Sequence, residues 1–131
     1  MNSSLILAPV SIGELFDKIS ILEIKESKIK GDKLKNIKNE ICELRNIVKK
    51  NNLTLDNKIL EKLKKTNSIL WDIEDKLRVK ERENKFDEEF INLARSVYFN
   101  NDKRASIKME INLLFNSHIV EEKSYEDYLN K

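Results

Sequence analysis

The chain has 131 residues, enough for one domain with its own core and too few for two. Charged residues make up 37% and apolar residues 40%, with only two Gly and one Pro, so the composition suits an all-helical protein and leaves little material for the turns of a sheet. Net charge is +2 from 25 basic and 23 acidic residues that are well mixed, so nucleic acid is not an expected partner.

Residues 1–10 form an extended arm. Leu5, Ile6, Leu7, Ala8 and Val10 are apolar, and Pro9 stops a helix from running back through them. The favoured expectation is a segment laid across the bundle. The alternative is an edge strand paired with its copy in a dimer. Ser11-Ile12-Gly13-Glu14 then reads as a capping box, with Val10 placed to staple onto Leu15. The first helix should occupy residues 11–30 and stop at Gly31. Ile12, Leu15, Phe16, Ile19, Leu22 and Ile29 make its main stripe. Ile21 and Ile24 lie on a second side, which predicts contact from two directions.

Asp32 can cap a second helix over 33–50, with Leu34, Ile37, Ile41, Leu44 and Val48 on one face. Thr54 or Asp56 can cap a third over 55–84. There Ile59, Leu63, Thr66, Leu70, Ile73 and Leu77 recur at steps of four and three. The second and third helices are candidates for a long coiled-coil-like hairpin. Asp87 caps a fourth helix over 87–100, with Phe86 and Ile91 as a staple and Phe90, Ala94, Val97 and Tyr98 facing inward. Asn101-Asp102 reads as a turn into a fifth helix over 103–116, apolar on two sides through Ile107, Ile111, Leu114 and Phe115 and through Ala105, Met109 and Leu113. Such a helix is central or sits at a subunit interface. Residues 117–131 form a tail in which Ser124 and Asp127 can start a last short helix. The fold expected is an all-α bundle of four or five main helices with an extended N-terminal arm and a short C-terminal helix or tail.

Three segments carry a resemblance: ILAPVSIGELFDKISILEIK at the start, LWDIEDKLRVKE in the third helix, and ARSVYFNNDKRASIKMEIN followed by VEEKSYEDYL. Together they resemble a family of small bacterial and phage proteins known only as a domain of unknown function. From Gly31 to Lys65 the match is in length and pattern alone. The resemblance implies a compact helical fold and supplies no activity, cofactor or catalytic residue.

Three groups of side chains are candidates for chemistry. Glu14 with Asp17, and Asp72 with Asp75, have the i, i+3 acid spacing with which all-helical nucleoside triphosphate pyrophosphatases bind magnesium. At 100° per residue both pairs lie off the main stripes, so solvated acids pairing with nearby lysines are the favoured expectation. Glu23 and Glu26 on the first helix, and Glu74 and Glu81 on the third, project from or beside the apolar faces. They are read as salt bridges that fix helix register, or as a polar pocket for a metal or for a cationic or hydroxylated ligand. Arg95, Tyr98, Arg104 and Lys108 are placed to make an anion-binding corner around the Asn101-Asp102 turn, with pairing to acids such as Glu110, Glu121 and Glu122 as the alternative. The ligand-binding hypothesis is therefore Glu23, Glu74, Arg95, Tyr98, Arg104 and Lys108, with Glu74 the first to mutate.

The leading reading is a non-enzymatic interaction or accessory module acting as a homo-oligomer, with a further protein partner open. The alternative is a binder or hydrolase of a phosphorylated small molecule, a nucleotide or sugar phosphate. No cofactor is expected under the first reading, and magnesium under the second. The single Cys42 fits a reducing cytoplasm. No run approaches a membrane span and no signal peptide is evident.

Overall fold

The structure, a computed structural model, describes residues 4–129. Among them are four α-helices and no strand: α1 (Ile12–Lys28), α2 (Asp32–Lys50), α3 (Asn57–Arg82) and α4 (Glu88–Leu114). The chain is an all-α bundle. Three helices start as their capping residues dictate. The Ser11 hydroxyl accepts from the Glu14 N–H at 3.0 Å, the Asp56 carboxylate from Lys58 at 2.8 Å and the Asp87 carboxylate from Phe90 at 3.0 Å. At α2 the expected cap is corrected. Asp32 is already the first helical residue, behind Gly31 at φ 82°, and no side chain caps the start.

Three helices also end alike. Asn52, Asn84 and Asn116 adopt φ of 53°, 55° and 50°, just past the ends of α2, α3 and α4. In each case the next N–H donates back five residues: Leu53 to Val48, Lys85 to Lys80 and Ser117 to Asn112. These are Schellman closures with asparagine in the position that glycine usually takes. A chain with two glycines terminates its helices this way.

The fourth and fifth helices expected from the sequence are one. Asn101 and Asp102 lie inside α4, and Asp102 caps nothing. Neither residue forbids a helix, and their propensity cost is at most about 0.7 kcal/mol each. Asn100 donates to the Ser96 carbonyl at 2.8 Å within the same helix. Burial of Ile107 and Ile111 beyond the polar run outweighs that cost. The 27 residues of α4 give α3, with 26, a partner of its own length. The long hairpin is accordingly α3–α4, and the expected pairing of the second and third helices is corrected.

The helix α1 is the hub. It packs against α2, α3 and α4, whereas α2 packs on α1 alone among the helices. The core between α1, α3 and α4 is Phe16, Leu55, Leu63, Ile107 and Ile111, with Phe115 stacked on Phe16 at 6.1 Å. A second cluster, Leu22, Ile37 and Ile41, joins α1 to α2. Every residue of the α3 stripe from Ile59 to Leu77 is buried or half-buried.

The arm and tail depart from expectation. Leu5, Ile6 and Leu7 are 70%, 89% and 81% exposed, so the arm is not laid across the bundle. Residues 1–3 of that expectation lie outside the described residues. No last helix forms between Ser117 and Leu129. Among the described residues no helix is long and apolar enough to cross a membrane.

Candidate functional site

A polar layer crosses the bundle where α1 meets α3 and α4. Its centre is Asp17, which is completely buried. The expectation that Asp17 points outward is corrected: α1 has neighbours on three sides, so a residue off its main stripe faces α3 and α4 instead of water. Arg104 on α4 donates to the Asp17 carboxylate through Nε at 3.0 Å and also through Nη2. Asn67 on α3 donates from Nδ2 to the same carboxylate at 2.9 Å and to Ser20 Oγ at 2.7 Å. The Ser20 hydroxyl in turn donates to the Asp17 carbonyl at 2.8 Å. The hydrogen bonds to Asp17 outweigh partial burial and hold the Arg104 guanidinium above its ordinary pKa.

One turn toward the start of α1, Lys108 on α4 donates to Glu14 at 2.5 Å and lies 3.8 Å from the tail residue Glu121. Glu14 and Asp17 thus face α4 together, each against a cation. One further turn on, the Asn112 amide oxygen accepts from the Gly13 N–H at 2.6 Å, and the Ser117 hydroxyl accepts from the Ile12 N–H at 3.1 Å. The first N–H groups of α1, which have no intrahelical partner, are satisfied by α4 and its C-terminal end. A Cβ at Gly13 would collide with the Lys108 carbonyl and meet Asn112 Oδ1 at 2.9 Å.

Partial burial pushes the Glu121 carboxyl up, but the Ser11 hydroxyl, the Lys108 charge and the Asn112 amide outweigh it and hold the group below the usual carboxylate range. Lys123 pairs with Asp102 on α4. Tyr128 closes an aromatic cluster with Tyr98 and Phe99, its ring centroid 5.2 and 5.1 Å from theirs. These contacts hold the tail along α4 and leave a cleft of about 1170 Å³ between them, lined by Tyr98, Arg104, Lys108 and Met109 on the helix side.

The structure divides the six residues of the ligand hypothesis. Tyr98, Arg104 and Lys108 share this cleft. The others lie elsewhere. Glu23 pairs with Arg45 at 2.8 Å and Lys64 at 3.8 Å. Arg95 lies over the Phe99 ring at 5.9 Å. Glu74, expected beside the core, is exposed and 3.7 Å from Arg78 one turn away, which corrects its placement. Asp72 and Asp75 are exposed, in line with the angular reading. The four acids of the metal hypothesis are not gathered: among the described residues no three of His, Cys, Asp or Glu stand close enough to hold a metal ion. Asn67, Asn112 and Ser20 are the residues that sequence reasoning passed over, and Gly13 entered it only as a member of the capping box. Asn67 carried a signal, a polar residue on the helical stripe itself, four residues after Leu63 and three before Leu70.

The family profile described as "Family of unknown function (DUF6165)" matches residues 7–130, almost the whole chain, and the chain belongs to that family. No curated protein and no solved structure matches it.

Proposed function

We propose that this member of a family of unknown function is a non-enzymatic helical interaction or accessory module that acts as a homo-oligomer in the cytoplasm. The observation that carries the reading is the arm. Leu5, Ile6 and Leu7 stand largely in solvent among the described residues. The bond from Ile12 to Ser117 holds the root of the arm at the C-terminal end of α4, where Leu113 and Leu114 are also exposed. Consecutive large apolar side chains left in solvent mark a surface that a partner covers. Full burial of each large side chain stabilises by about 1.5–3 kcal/mol, enough for several together to hold a dimer against its association cost. Light scattering across a dilution series from high to low micromolar concentration tests the reading. A dimer or higher species that dissociates on dilution is expected. A monomer throughout, with no partner in a pull-down, overturns it.

A second reading, a binder or hydrolase of a nucleotide or sugar phosphate using magnesium, has one observation in its favour: Tyr98, Arg104 and Lys108 share a cleft. Against it, both cations already face carboxylates, and a phosphate would have to displace Asp17 and Glu14 from them. A thermal-shift series with nucleotides and sugar phosphates, with and without magnesium, is expected to show no stabilisation. A saturable rise in Tm would favour the second reading over the first.

A further inference from the structure

The cleft between α4 and the tail has a chemistry of its own, separate from the apolar arm. Its cations are already neutralised: Arg104 by Asp17, Lys108 by Glu14, and Lys123 by Asp102. Five carboxylates line it against those three cations. Glu122, Glu126 and Asp127 have no ion-pair partner among the described residues. The local balance is therefore negative on a chain whose net charge is +2. The walls are also aromatic. Tyr98, Tyr125 and Tyr128 line it, Tyr98 and Tyr128 with ring centroids 5.2 Å apart, and Lys123 lies 5.8 Å from the Tyr125 ring. Ring faces beside carboxylates suit an ammonium group, because the ring quadrupole and the carboxylate charge act in the same direction.

Shape and backbone decide what carries that ammonium. From Tyr98 to Asn112 the helical wall runs about 21 Å at 1.5 Å per residue. The volume of about 1170 Å³ exceeds the usual small-ligand range of about 300–1,000 Å³. Across from the helix, tail residues 120–128 donate and accept no backbone–backbone hydrogen bond among the described residues. A segment with unpaired N–H and C=O groups can take a second extended strand beside it.

We propose that this cleft binds an extended, lysine-bearing peptide segment of a partner protein. The segment lies between α4 and the tail, with its lysines reaching the rings of Tyr98 and Tyr128 and the carboxylates of Glu122, Glu126 and Asp127. The proposal rests on the reading of the chain as an interaction module and names a partner chemistry for a surface other than the arm.

Fluorescence anisotropy of a labelled lysine-rich peptide against the full chain at low salt tests it, with the same peptide acetylated on its lysines as control. Saturable binding is expected. It should weaken at least tenfold on acetylation, in E122Q/E126Q/D127N, and in Tyr98→Leu, and it should fall as salt rises. The three tail substitutions are at exposed positions, so the circular-dichroism spectrum should be unchanged. Equal binding of the acetylated peptide, unchanged binding by the triple variant, or no saturable binding overturns the proposal. Spermidine binding as tightly as the peptide would make the occupant a small polyamine and overturn it too. Self-association through the arm is read separately by light scattering, so failure of one does not imply failure of the other.

Discussion

At the scale of single residues, Asp17 is the costliest choice in the chain. A carboxylate removed from water is tolerated only because Arg104 and Asn67 meet it. Taking away one partner leaves the other charge stranded, at a cost of about 3–5 kcal/mol. Arg104 keeps some access to solvent, so Asp17→Asn should fall at the lower end of that range, read as a shift in the urea midpoint with unchanged slope. A loss below about 1 kcal/mol would show that the layer does not hold α1 against α4. The double variant D17L/R104L should recover much of the loss, since apolar replacement of both partners restores packing without an orphan charge. Gly13 has a different role. Its hydrogen atom lets α1 approach the α4 backbone, and Gly13→Ala should destabilise by about 1–3 kcal/mol in the same assay through overpacking.

At the scale of elements, the helix starts were legible because a cap is a local signal: Ser11, Asp56 and Asp87 each bond a backbone N–H within three residues. The helix ends at Asn52, Asn84 and Asn116 are closed locally too, by N–H groups that reach back five residues. The Asn101-Asp102 run carries the same letters and is not a break. What separates it from the others is non-local, the presence of α3 along its whole length. The site was less legible still. An angle measured around α1 placed Asp17 away from one stripe, but only the packing of three neighbours says whether that direction holds water or protein. Asp102→Pro is the sharp test of helix continuity. A proline at a turn would be accepted, whereas inside α4 it should cost about 3 kcal/mol or more, with a loss of helical signal in circular dichroism.

The tail offers an element-scale test by pH. Glu121 is held below its ordinary value of 4.5. A carboxyl with a depressed folded pKa contributes stability that is complete above the unfolded value and is lost as pH falls through the folded one. Tail attachment should therefore be constant from neutral pH down to about 5 and should weaken below 4.5. Amide hydrogen exchange of residues 112–128 across that window checks it. Glu121→Gln should remove the contribution of that carboxylate to the acid dependence. An unchanged acid dependence in Glu121→Gln would place the latch elsewhere.

At the scale of the whole molecule, the structure separates what folds the chain from what it leaves uncovered. The core clusters, the Asp17 layer and the α3–α4 hairpin account for α1, α3 and α4 without calling on the arm. That independence makes the oligomer reading testable in one variant, L5S/I6S/L7S. These side chains are largely in solvent in the isolated chain, so replacing them removes little intramolecular burial and should leave the monomer's unfolding transition in place. An oligomer, by contrast, is stabilised by mass action, and its Tm rises with protein concentration. The wild-type chain should show that rise, and the triple serine variant should lose it and scatter as a monomer at all concentrations. If the variant keeps the concentration dependence, association runs through another face. A variant that unfolds outright would mean that the arm belongs to the folding unit, because only a segment contributing burial to the monomer can cost it stability when made polar.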